Sequence, residues 1–510
     1  MTGTGASEHH EPLKKLFSDA VLPCGVTVRN RFVKVAMYEH GAALLGGSPN
    51  QYHQALYRAW STGQWGMIIT GNVQVSPTHL TLGRDMLVPD SLTASDIQPF
   101  KDLAHTIRFG CSETLAIMQL SHAGRQSPNL IGGRFPFASP LAPSAVRLWS
   151  GANSNTNFVG RLLYYVLFQT PKEMTMDDIA AVVHQFTEGA RLALDAGFDG
   201  IELHASHGYL LAQFISSKSN RRTDFYSAGN TSLALVQRVV ASIRDFVPPN
   251  FIIGIKLNAA DYAGGTTRDR DDTVDADLPL KHFLEVASWG SVDFIEISGG
   301  DYENPEFMDN MRPSSRRQAL FSSFSHRAMD ALTGLPPETQ RTAPLILLTG
   351  GLKTPSQCAS VLENGHAHLL GIGRSSIVYP DFPHRVLGSI RDGTSDPTFD
   401  IPRPILNEAP GTLHLRSSVL DQTWRHVSKL VGFPKLIGAG MEMAWHTVMM
   451  RRIAAGQRVD LHVGGVGAVM RMWLWKAPAS RYSATFTAWL SVFFLVMATL
   501  VLLFQRAMWS

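Results

Sequence analysis

Two histidines three positions apart, His204 and His207, with Tyr209 two further on, form a compact set of groups able to bind, polarise and protonate. Three chemistries fit that spacing. The pair could ligate a metal, although a third ligand is not evident nearby. The rings could be held in structural hydrogen bonds. Or two N–H groups could polarise one carbonyl oxygen while the phenol delivers a proton. Elsewhere, Gly350-Gly351 and Gly373-Arg374 pair backbone N–H groups free of side-chain crowding with a guanidinium. Such a set suits a phosphate, though a lone Gly-Gly is more often a turn. Gln119 offers an amide donor and acceptor for the edge of a planar heterocycle. Lys256 lies within an apolar run, where its charge is costly without a negative partner such as a reduced flavin.

These residues sit at the ends of short apolar runs. Strands are expected over 31–37, 67–75, 114–120, 200–204, 251–257, 292–297, 345–349 and 368–372. Several are continuous Val/Ile/Leu runs, as in parallel strands buried on both faces. Helical patterns alternate with them. The clearest is 176–196, with Thr175 and Asp178 as a capping pair and Gly197 as the stop. A second pattern covers 232–246, and another starts at Thr354-Pro355. Eight βα units in about 350 residues predict an α/β TIM barrel with insertions, whose reactive groups lie at the C-terminal strand ends. An open doubly wound sheet is the runner-up, but it would want an early Gly-rich turn and no GxGxxG is present. The insertion at about 126–171 is expected to lie over the barrel mouth as a lid or substrate loop.

The composition is that of a globular chain. Of 510 residues, 45% are hydrophobic and 17% charged, and the net charge of +3 gives no reason to expect nucleic acid as a partner. Cys24, Cys111 and Cys358 are too scattered for a disulfide framework, a CxxC zinc site or a four-cysteine iron–sulfur cluster. Charge is uneven, however. Residues 405–510 hold 11 Lys+Arg against 4 Asp+Glu, while the first 404 carry a small negative excess. No charged residue occurs from Tyr482 to Gln505. Residues 484–504 would span roughly 31 Å as a helix, matching a hydrocarbon core of ~30 Å. Trp473, Trp475, Tyr482 and Trp509 flank the run, and Arg471, Lys476 and Arg481 precede it. The expectation is a tail anchor at 482–505, the large N-terminal part cytosolic and the endoplasmic reticulum the default membrane. A buried soluble helix is the alternative. Residues 1–12 are expected to be disordered, 13–404 to form the barrel, and 405–480 to be a linker and membrane-proximal extension with a helix near 438–454.

Three stretches together resemble the Old Yellow Enzyme family. They are Asn30-Arg-Phe-Val-Lys-Val-Ala-Met37, Gln119-Leu-Ser-His-Ala-Gly-Arg125 and Gly197-Phe-Asp-Gly-Ile-Glu-Leu-His204-Ala-Ser-His207-Gly-Tyr209-Leu-Leu-Ala-Gln213-Phe214. Asn220-Arg-Arg222-Thr-Asp224-Phe-Tyr226 continues the match, which runs in order from about Leu13 to Pro383. The resemblance implies a TIM barrel that binds FMN and reduces activated C=C bonds with NADH or NADPH. It implies that Ala36, Met37, Tyr38, Asn72, Gln119 and Lys256 line the isoalloxazine ring. Gly350, Gly351, Gly373 and Arg374 would hold the phosphate. His204 and His207 would bind a substrate carbonyl, and Tyr209 would protonate the α-carbon. Five positions depart from the pattern. Ala36 stands where proline is frequent, Tyr38 where threonine or cysteine is common, Lys256 where arginine is common, and Ser227-Ala228 for Gly-Gly. Two rivals remain: a flavin dehydrogenase or demethylase on the same barrel, and a non-catalytic membrane-tethered adaptor.

Overall fold

All eight apolar runs form parallel strands that close on one another. A computed structural model describes residues 11–148, 165–229, 231–258, 277–298, 314–392, 397–399 and 435–475. The barrel strands are β1 (Phe32–Lys34), β2 (Met67–Ile69), β3 (Leu115–Ser121), β4 (Gly200–Ala205), β5 (Ile252–Asn258), β6 (Phe294–Ser298), β7 (Leu345–Thr349) and β8 (Leu369–Ile372). Each pairs in parallel with its sequence neighbour, and β8 returns to β1 with Leu370 opposite Phe32. That closure selects the TIM barrel over the open sheet.

Odd and even strand positions face different cores. Val33, Met67, Ile117, Ile252, Phe294 and Leu347 fill the floor of the barrel interior. Phe32, Ile68, Met118, Ile201, Ile255 and Ile346 pack outward against the helices. Both faces are apolar, which is why the strands read as unbroken apolar runs. The helices are α1 (Gln51–Ser61), α2 (Ala94–Ile107), α3 (Met176–Asp195), α4 (Ala234–Arg244), α5 (Leu278–Ser288), α6 (Ser314–Thr333), α7 (Pro355–Glu363) and α8 (Phe382–Arg391). At the start of α3 the Asp178 N–H donates to Thr175 Oγ1 at 3.1 Å, and the Thr175 N–H to Asp178 Oδ2 at 2.9 Å. This reciprocal cap fixes where the helix begins.

Two strands stop earlier than their apolar runs. After Ile69 the backbone is diverted, because the Gly71 N–H donates to Tyr57 Oη at 2.7 Å and to Glu39 Oε1 at 3.3 Å. Val73–Gln74 then pairs with the far end of β3 as a separate piece. Likewise β1 ends at Lys34, so 36–38 lie on the loop that follows. The described part of the 126–171 insertion lies against the turn after β4, where Gln126 Nε2 donates to the His207 carbonyl at 2.8 Å.

Part of the stretch expected as linker is folded onto the barrel. Helices α9 (Lys435–Ala454) and α10 (Gly465–Trp473) pack on each other, and α9 packs on α1. At the other end, Glu11 begins a short helix, while residues 1–10 lie outside the described residues. The apolar run at 482–505 also lies outside them. Among the described residues no helix is long and apolar enough to cross a membrane.

Candidate active site

The turn after β4 brings its three reactive side chains into contact. The His204 and His207 rings lie 5.1 Å apart at 83°, and the Tyr209 ring stands 4.7 Å from His204. The backbone forces this clustering. His207 adopts φ 57° and Gly208 φ 71°, two consecutive left-handed residues that reverse the chain. Glycine accepts that conformation freely, whereas histidine pays on the order of 1 kcal/mol for it. Tyr209 then caps the helix Leu210–Ile215 and is buried.

Hydroxyls set the orientation of both imidazoles. Ser206 Oγ lies 3.2 Å from His204 Nδ1, and Ser298 Oγ 2.9 Å from His207 Nε2. Burial, followed by the Lys256 charge, pushes His204 well below the usual imidazole range, so its ring is neutral. A neutral imidazole carries one ring proton, and the Ser206 hydroxyl at Nδ1 can either donate to that nitrogen or accept from it. Among the described residues no group of three or more metal-ligating side chains exists.

Beneath this turn the barrel interior carries a polar layer. Gln119, Glu202, Lys256 and Glu296 occupy inward positions on β3, β4, β5 and β6 and are buried. Lys256 Nζ meets Glu296 Oε1 at 2.8 Å, and Gln119 Nε2 donates to Glu202 Oε2 at 2.6 Å. Lys256 thus has its negative partner within the protein. Burial and the neighbouring Glu296 raise Glu202 well above the ordinary carboxyl range, against the opposing pull of Lys256. That direction favours the neutral acid, whose O–H can donate within the layer.

The remaining expected positions ring the mouth. Ala36, Met37 and Tyr38 follow β1, and Asn72 follows β2. Glu39 joins these two loops through Tyr57 and Gly71, and Tyr38 Oη lies 3.0 Å from His40 Nδ1. Gly350 and Gly351 follow β7 with φ 111° and 76°, and a Cβ on Gly350 would meet open space. Gly373 and Arg374 follow β8, and Arg374 Nη1 donates to Glu442 of α9. Two clusters result: the His204–His207–Tyr209 turn over the polar layer, and the glycine loops with Arg374. Sequence reasoning passed over Glu202, Glu296 and Ser298. Their signal was the inward parity of 200–204 and 294–298, masked because outward residues are apolar too.

The sequence of residues 23–392 matches the profile of the NADH:flavin oxidoreductase / NADH oxidase family. The chain belongs to that family. It is 38% identical over 366 residues to the NADH-dependent flavin oxidoreductase iliE of Neonectria sp., covering 71% of this chain and 45% of that protein. It is 34% identical over 386 residues to iccE, the corresponding protein of Talaromyces variabilis, covering 73% of this chain and 86% of the other. A solved Old Yellow Enzyme homologue from Zymomonas mobilis superposes with a TM-score of 0.53 at 21% identity, covering 74% of this chain and 93% of that one, a likeness of fold. As a family member the chain is an FMN-binding oxidoreductase that draws on NAD(P)H. Its residues fit that cofactor. Gln119 Oε1 is buried with no hydrogen-bond partner, an acceptor suited to a ring N–H. Gly350 and Gly351 are both left-handed, and the space beside Gly350 that a Cβ would enter is clear, which suits the close approach of a phosphate.

Proposed function

We propose that this protein is an ene-reductase, reducing the C=C bond of α,β-unsaturated carbonyl compounds. The observation that carries the reading is the His204–His207–Tyr209 cluster at the C-terminal end of β4. In it, Gln119, Lys256, Asn72 and the 36–38 loop hold the isoalloxazine, while Gly350, Gly351, Gly373 and Arg374 hold the phosphate. FMN bound there supplies two-electron redox chemistry between a reduced nicotinamide and the alkene. One cleft serving both substrates in turn gives ping-pong kinetics. The two most similar relatives described above are named NADH-dependent, which favours NADH as the donor.

The side chains divide the remaining work. The His204 and His207 rings face one carbonyl oxygen and stabilise the negative charge that develops on it. Donors of this kind are each worth about 3 kcal/mol, or ~10²-fold. Ser206 and Ser298 hold the two rings in orientation. Tyr209 gives its phenolic proton to the α-carbon, and water restores it. Tail anchoring through 482–505, with the barrel cytosolic and the endoplasmic reticulum as the membrane, belongs to the same proposal. It is supported by the uncharged apolar run and its basic, aromatic flank.

Stopped-flow kinetics of the two half-reactions tests the assignment. Tyr209→Phe should leave flavin reduction by NADH nearly unchanged and slow reoxidation by simple enones. His204→Ala should slow the enone step ~10²-fold and weaken binding of phenols, which mimic the enolate. Equal impairment of both halves by Tyr209→Phe would make the phenol a structural group.

A further inference from the structure

Helices α9 and α10 grip both ends of the proposed cofactor groove. At the β1 end, Arg451 Nη2 donates to the His40 carbonyl at 2.9 Å, and the Trp473 ring packs edge-on against the His40 ring at 5.2 Å. His40 is itself left-handed, with φ 50°, and its Nδ1 meets Tyr38 Oη. Arg451 is anchored in turn on the Arg471 and Met472 carbonyls at 3.1 and 3.0 Å, with its guanidinium over Trp475. Arg84 Nη2 closes the seam by donating to the Trp475 carbonyl at 3.2 Å. At the β8 end, α9 packs on the short helix Ser375–Val378, and Glu442 binds Arg374.

Glu442 is the informative residue. Its side chain is 8% exposed, so its carboxylate has been taken largely out of water. Such burial is costly and recovered only through close, well-directed partners. Its partner is the guanidinium that, on the function proposed above, meets the flavin phosphate. Glu442 takes Nη1, and the Nε–Nη2 edge has no hydrogen-bond partner among the described residues. A guanidinium held on one side presents its other edge in a fixed direction, which is how two-pronged anion recognition is prepared. One turn further along α9, buried His446 packs its Nδ1 2.8 Å from the Glu442 carbonyl and stiffens this stretch of helix.

We propose that the C-terminal extension is a built part of the cofactor groove, in which Glu442 positions Arg374 for the ribityl phosphate of FMN. This rests on the placing of that phosphate at the glycine loops and Arg374. The carboxylate also repels the phosphate, so charge and positioning pull in opposite directions and can be separated.

The test compares the affinity of the full chain for FMN and for riboflavin, which lacks the phosphate, by quenching of flavin fluorescence. Glu442→Ala should weaken FMN ~10-fold and leave riboflavin unchanged, because the lost restraint acts through the phosphate alone. Glu442→Gln keeps an acceptor for Arg374 and should bind FMN at least as well as the parent. Equal weakening of FMN and riboflavin by Glu442→Ala would reduce the residue to a packing role and overturn the proposal. Unchanged or tighter FMN binding by Glu442→Ala would overturn it too. Arg374→Ala separates the premise. If that variant keeps the full preference for FMN over riboflavin, the phosphate lies elsewhere and the inference falls with the site assignment.

Discussion

Replacing Glu202 by glutamine should stabilise the protein, and the gain should grow with pH. In the folded chain burial and Glu296 push the Glu202 carboxyl well above its ordinary range, towards the protonated form. In the unfolded chain it titrates near 4.3. Above that value the unfolded state has released a proton that the folded state retains. A raised acid therefore contributes its full stability below the unfolded pKa and loses it as pH rises towards the folded one. One proton difference corresponds to about 1.4 kcal/mol per pH unit. Glutamine has the same shape, can accept from Gln119 Nε2 as Glu202 Oε2 does at 2.6 Å, and carries an NH2 where the acid carries its O–H. It has no proton to release. The difference in unfolding free energy between variant and parent should thus rise by about 1.4 kcal/mol per pH unit from pH 5 until the folded carboxyl ionises. Urea unfolding at saturating FMN, followed by tryptophan fluorescence at pH 5, 6, 7 and 8, measures this. Taking the difference cancels the groups both proteins share. Parallel stability curves would show that Glu202 is ionised in the fold, and a variant losing ground as pH rises would reverse the sign of the reasoning.

Two further outcomes follow from the loops. A Cβ on Gly71 would lie 2.6 Å from the Met37 carbonyl and 2.8 Å from the Glu39 carboxyl carbon, so Gly71→Ala should push the β1 and β2 loops apart. Overpacking of this kind costs about 1–3 kcal/mol, read as a lower melting temperature together with weaker FMN binding. Deleting the chain from residue 480 onward should move it from the membrane fraction to the soluble one with its oxidoreductase activity intact, since α9 and α10 end before the cut. Continued pelleting with membranes would show a second anchor.

The barrel was legible because its strands are buried on both faces, so that most of each strand reads as an apolar run. The reactive turn was legible for a different reason: His204, His207 and Tyr209 are local in sequence, so no tertiary information is needed to bring them together. What could not be read is what depends on register. Lys256 and Glu296 face each other only because β5 and β6 align those two positions, and neither run shows alternation. The docking of α9 was hidden because residues 444–450 are buried all round, leaving no polar stripe to mark a packing face. Arg374 looked like a free phosphate ligand for the same reason, since its partner Glu442 lies 68 residues downstream.

The clasp between the extension and the first strand's loop also governs when the molecule can be finished. Arg451 and His40 are 411 residues apart, and β8 must emerge before β1 has its second neighbour. A chain made from its N-terminus at ~5–20 residues per second holds the β1 loop open through most of its synthesis. Contacts this distant are also the ones that slow folding most. The groove is therefore completed late, after the barrel has closed and α10 has left the ribosome. The loop after β1 thus reaches its final packing only when a segment 411 residues downstream has docked on it.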